Sequence, residues 1–175
     1  HYGDVNAVAF SPDGKYVISG GDDNTVKVWG NFDRIVKNRT RELFGRSYRV
    51  RDTKVIRTLK AHKDDVTSVA ISPDGRQFVS GSRDATIRFW KMANGRNTMT
   101  YRGHMGTIDS VLFSPDGQFI ISGGRDDGTV RILNAQTGEA LLLMVDFPNG
   151  EWVCVTPEGF YNSSADGDKH FNVRI

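Results

Sequence analysis

Cys154, His170 and the aspartates Asp146, Asp166 and Asp168 fall within one short stretch of the chain and are the residue types of a thiol hydrolase. Such chemistry needs a thiolate held beside a base. Cys154 instead sits in Trp152-Val-Cys-Val-Thr156, a β pattern in which a small thiol packs as an apolar side chain. No catalytic residue is assigned, and the chain reads as non-enzymatic. The histidines His1, His62 and His104 are separated by 61 and 42 residues, too far apart in the chain to converge on a metal without special geometry. Asp166-Gly-Asp168 lacks the further oxygen ligands and terminal Glu of a calcium loop. No phosphate-binding glycine pattern occurs, so neither cofactor nor metal is expected.

A second kind of chemistry lies in charge. The 175 residues carry a net +2, yet residues 31–60 hold ten Lys/Arg against three Asp/Glu. Arg34, Lys37, Arg39, Arg41, Arg46, Arg49, Arg51, Lys54 and Arg57 alternate there with Phe32, Phe44 and Tyr48, a mixture able to grip nucleic acid. The competing and preferred reading is a solvated excursion, in which Ile35, Val36, Leu43 and Phe44 anchor a short helix ended by Gly45. The longest uninterrupted apolar run, residues 140–145, is far short of a membrane span, and mean hydropathy is −0.43. A single cysteine excludes an intrachain disulfide and makes a reducing, cytoplasmic setting the expectation.

The elements that would position these residues repeat. Each of the three histidines precedes a Ser-Pro-Asp-Gly turn by ten residues, at Ser11, Ser72 and Ser114. Between them run Val5-x-x-Val8-x-Phe10, Val66-x-x-Val69-x-Ile71 and Ile108-x-x-Val111-x-Phe113. Strict strand alternation would space apolar residues by two, so the first step of three predicts a β-bulge. In the turn, Pro presets φ at the second position and Gly tolerates the fourth. A second strand ends in Ser-Gly, an acidic turn follows, and a third strand covers 25–29, 86–90 or 129–133. The turns lie 61 and then 42 residues apart, so the first repeat carries an insertion of about 19 residues, the basic segment at 31–57.

His, Ser-Pro-Asp-Gly, Ser-Gly, Asp-x-Thr and Trp recurring in this order resemble the WD-repeat family of β-propellers, over residues 1–138. The family's terminal Asp is Gly30, Lys91 and Asn134 here, and the third Trp is Leu133. The resemblance implies an all-β fold of three four-stranded blades. It also implies a polar chain in each blade that serves architecture: His1, Ser19, Asp23 and Trp29; His62, Ser80, Asp84 and Trp90; and His104 with Ser122. The third acid is either Asp126 or Asp127, with Asp126 placed in the chain. Lacking an indole, this third set should be the least complete.

Residues 139–175 carry four short strand patterns, at 141–147, 151–156, 160–162 and 170–175, and are expected to form a β-rich extension or a degenerate fourth blade. Gly150-Glu-Trp-Val-Cys154 and Thr156-Pro-Glu-Gly159-Phe-Tyr-Asn162 resemble an extension found after WD repeats in some bacterial multidomain proteins that also carry a caspase-like peptidase domain. Three repeats are too few to close a propeller, and both ends look cut, so missing blades are expected from the same longer chain or another subunit. Loop positions Asn6, Thr67 and Asp109 beside the bulges, with Asp22, Arg83 and Arg125 before the acidic turns, are the candidate partner-binding residues. The overall expectation is a protein-interaction scaffold or regulatory domain. The alternatives are a nucleic-acid-binding module using the insertion and an accessory domain of a caspase-like hydrolase.

Overall fold

A computed structural model of the chain describes residues 1–30, 40–43, 46–49 and 54–170, without the side chains of 40–43, 46–49, Asp168 and His170. Three antiparallel sheets follow one another in sequence. The first consists of β1 (Val5–Phe10), β2 (Tyr16–Gly21), β3 (Thr25–Gly30) and β6 (Lys54–Lys60) in that order. A separate hairpin, β4 (Thr40–Leu43) and β5 (Arg46–Arg49), interrupts it. The second sheet is β7 (Val66–Ile71), β8 (Gln77–Ser82), β9 (Ile87–Lys91) and β10 (Asn97–Tyr101). The third begins with β11 (Ile108–Phe113), β12 (Phe119–Gly124), β13 (Thr129–Asn134) and β14 (Ala140–Asp146).

Local chemistry sets this meander. In each Ser-Pro-Asp-Gly turn the Gly N–H closes on the Ser carbonyl, at 2.8, 2.8 and 2.9 Å, with Gly at φ +69°, +69° and +73°. The Asp side chain accepts from the Ser hydroxyl, which fixes the turn before either strand extends. Strand pairing skips one residue at Asn6, Thr67 and Asp109, the bulges expected from the three-residue step.

Because successive side chains point to opposite faces of a strand, each sheet carries two apolar sides. Ile18, Val26 and Val28 of the first sheet meet Val66, Val69, Phe78 and Trp90 of the second. The second sheet's other side, with Val79, Ile87 and Phe89, meets Ile108, Val111 and Leu133 of the third. Each such side chain contributes roughly 1.5–3 kcal/mol on burial. The Ser-Gly glycines make the approach possible: a Cβ on Gly81 would sit 2.7 Å from Ile108 Cγ2, and one on Gly20 would overlap Val66. At Gly123 the corresponding position faces open space among the described residues.

Two regions depart from the repeat pattern. The tail builds no sheet of its own: β15 (Trp152–Val155) pairs with β14, and β16 (Tyr161–Ser163) with β15, making the third sheet six-stranded. Tight turns closed by Gly150 and Gly159, at φ +82° and +88°, keep these strands adjacent, so pairing continues outward. A 3-10 turn at Gly167–His170 ends the described chain, and the strand expected beyond it lies outside the described residues. In the insertion, Leu43 ends a strand, not a helix; Ile35, Val36, Phe44 and Gly45 lie outside the described residues.

Candidate functional site

Each blade orders four polar side chains by what they can donate. In the second blade the Trp90 indole N–H donates to Ser80 Oγ at 2.9 Å, and His62 Nε2 lies 2.7 Å from that hydroxyl. His62 Nδ1 lies 3.0 Å from Asp84 Oδ2. An indole only donates and a carboxylate only accepts, so Ser80 Oγ receives the Trp90 N–H at one end of the chain and His62 Nδ1 donates to Asp84 at the other. The first blade repeats it at 2.8, 2.7 and 2.6 Å through Trp29, Ser19, His1 and Asp23. In the third, His104 joins Ser122 at 2.8 Å and Asp127 at 2.9 Å, and Leu133 stands where an indole would donate.

The third acid is therefore Asp127, correcting Asp126. The carboxylate must also receive the hydroxyl of the Thr two residues on, as Asp23 does from Thr25 at 2.6 Å and Asp84 from Thr86 at 2.5 Å. Only Asp127 stands two residues before Thr129, with Gly128 at φ +59° taking the left-handed step that Asn24 and Ala85 take in the other blades. Asp126 instead accepts the Thr107 N–H at 2.7 Å. These threonines were missed as members of the chain, although the recurring Asp-x-Thr spacing contained them.

Burial raises the cost of charge on Asp127, but N–H groups of Met105 and Thr129, the His104 ring and the Thr129 hydroxyl outweigh it and hold the carboxyl at about 2. Asp84 is held lower still: burial opposes ionisation, and donors from His62, Thr86 and Lys63 prevail. His104 is pushed below the ordinary histidine value by burial, against the pull of Asp127.

Ser, His and Asp in this order have the connectivity of a hydrolytic triad, but nucleophilic attack needs an exposed Oγ beside donors for an oxyanion. Ser19, Ser80 and Ser122 are at most 3% exposed, and in two blades the hydroxyl already accepts an indole N–H. No substrate carbonyl can approach them. The Cys154 side chain lies on β15, half-buried, and Asp166 is paired with Lys169. The side chains of Asp168 and His170 lie outside the described residues, and no group of three metal-ligating side chains occurs among those described.

The loop candidates converge on one edge of the sheets. Asn6 Nδ2 donates to Asp22 at 2.8 Å and to the Val66 carbonyl of the next blade at 3.1 Å. Thr67 donates to the Gly81 and Ile108 carbonyls, again reaching the following blade. Asp109 cannot donate; it receives Arg125 through two contacts of 2.8 and 3.0 Å. Arg83 pairs with Asp65 at 2.7 Å. Asn6 and Thr67 thus tie adjacent blades together, while Asp22, Arg83, Asp109 and Arg125 stay exposed.

Consecutive antiparallel four-stranded units, each packed on the next and each with an internal His–Asp pair, define a blade-repeat protein. The WD domain, G-beta repeat family model matches residues 1–30, 53–91 and 95–134, more than half of the chain, and the chain belongs to this family. It is 38% identical over 96 residues to Protein HIRA of Oryza sativa subsp. japonica, covering 54% of this chain and 10% of that protein. It is 34% identical over 92 residues to Striatin-3 of Homo sapiens, covering 53% of this chain and 10% of that one. Among solved structures, the RRP9 WD40 repeats align with a TM-score of 0.64 and U3-55K with 0.67, each at 17% identity over 93% of this chain. The chain spans about half the length of those two structures and about a tenth of the curated relatives.

Proposed function

We propose that these three blades belong to a larger propeller that acts as a non-enzymatic protein-binding scaffold. The observation that carries this reading is a difference in exposure at matched positions. Val66 and Val69 of β7 are 0% and 7% exposed because they pack on the first blade, whereas Val5 and Val8 of β1 are 54% and 68% exposed. At the other end, Leu112, Ile121 and Val130 are exposed where Ala70, Val79 and Ile87 are buried. The two ends thus present the two halves of the contact that joins successive blades, as flanking blades would require. In this reading the three blades run from residue 1 to residue 146, eight residues beyond the expected boundary at 138, because β14 supplies the fourth strand of the third blade; β15 and β16 are an extension.

The His–Ser–Asp chains serve architecture, and the exposed Asp22, Arg83, Asp109 and Arg125 supply a mixed-charge rim on rigid sheets that suits a protein partner. A cytoplasmic setting agrees with the single, partly buried thiol. Affinity capture by the full-length protein, followed by identification of a directly interacting protein, tests the reading. Arg83→Asp together with Arg125→Asp is expected to release that partner with the fold unchanged. Undiminished capture by the double variant would remove the rim from the account, and absence of any direct partner would overturn the scaffold.

A further inference from the structure

The junction between the first two blades opens, on the side of the Ser-Pro-Asp-Gly turns, into a cavity of about 600 Å³. Its apolar floor is Tyr16, Ile56 and Met92; its cationic rim is Arg57, Arg76 and Lys91. We propose that this cleft binds an acidic segment of a partner protein, seating one apolar side chain on the floor and its carboxylates on the rim.

The size lies within the range of pockets that enclose a ligand group. Met92 and Ile56 are aliphatic and Met adapts to the shape of an incoming side chain. Of the three rim cations, Arg76 alone has a carboxylate partner among the described residues, at the outer limit of an ion pair. Arg57 is held by the Met92 and Ala93 carbonyls, at 3.4 and 2.7 Å, so it is positioned without being neutralised. Arg76 reaches Asp74 only at 3.9 Å with its own side chain 87% exposed. Lys91 makes no ion pair among the described residues. At the second junction the residues matching Arg76 and Lys91 are Gln118 and Asn134, so the positive rim belongs to the first junction and not to the repeat pattern. An apolar floor with one ring offers a nucleic acid little stacking surface, whereas it matches an aliphatic or aromatic side chain flanked by Asp and Glu.

The proposal rests on the scaffold reading, and its test separates the two. The full-length protein is titrated by fluorescence anisotropy with a labelled twelve-residue peptide of Glu and Asp around a Leu-Phe pair. Parallel titrations use the same peptide with Ser for Leu and Phe, and single-stranded poly-uridylate. Arg76→Gln with Lys91→Asn, which install the third blade's residues at exposed positions, should weaken the acidic–apolar peptide at least tenfold and reduce its salt dependence, with the melting temperature unchanged. The Ser peptide should bind at least tenfold more weakly. Equal binding by the double variant, equal binding of the Ser peptide, tighter binding of poly-uridylate, or no binding of the acidic–apolar peptide would each overturn the cleft. Partner capture that persists in the double variant would leave the scaffold standing without it.

Discussion

The second and third blades share a sequence pattern almost residue for residue, yet one is enclosed and the other is not. Val79 and Ile87 of the second blade are fully buried by the third; Ile121 and Val130, their counterparts, are 40% and 39% exposed. Gly81 is pressed by Ile108, and Gly123 faces open space among the described residues. Inside, Ser80 is bonded to both an indole and an imidazole, and Ser122 to the imidazole alone. The same motif therefore has different energetic weight according to whether a neighbour covers it. Position within the array matters as much as residue type.

The largest expected contrast comes from placing a charge at matched positions. Ile108→Asp buries an unpaired carboxylate at the second junction and should cost at least about 4 kcal/mol, while Val8→Asp in this same chain should change stability by no more than about 0.5 kcal/mol; urea denaturation reads both. Next come the serines. Ser80→Ala strands a buried indole N–H and a ring nitrogen and should cost about 3 kcal/mol, whereas Ser122→Ala strands only the ring nitrogen and should cost about half as much. Equal losses would show that Leu133 had not shortened the third polar chain.

Acid should sharpen the same comparison. Asp127 falls from an unfolded value near 3.9 to about 2 on folding. Its contribution, about 2 kcal/mol, is complete above about pH 4 and is lost as pH falls toward 2. His104 is also lowered, so its contribution is complete above about pH 6.5 and declines as the ring is forced to take a proton. Stability measured against pH should thus begin to fall below about 6.5 and steepen below 4, and Asp127→Asn should flatten the lower limb. The smallest effects belong to the glycines. Gly81→Ala forces Ile108 to move and should cost about 1–2 kcal/mol, and Gly123→Ala should be near neutral.

The sequence made the repeat, the bulges and the polar chains legible because each is set by local rules. Turn chemistry fixed Ser-Pro-Asp-Gly, and a three-residue step between apolar positions marked each bulge. Asp127 could have been chosen over Asp126 from the Thr129 spacing alone. Two other features were not readable locally. Whether β15 and β16 start a new sheet or extend the third depends on which strand edge is free after β14, a tertiary matter. The cationic cleft depends on Arg57, Arg76 and Lys91 meeting across two blades from three separate strands and turns, a proximity that no spacing in the chain encodes.

The most direct test of the central claim, that further blades cover these flanks, is the urea stability of the full-length protein carrying Val8→Asp compared with Val69→Asp. A loss of about 3 kcal/mol or more in both variants is expected, because flanking blades would bury Val8 as the first blade buries Val69. If Val69→Asp destabilises the full-length protein and Val8→Asp leaves it unchanged, β1 faces solvent in the whole molecule and the larger propeller is contradicted.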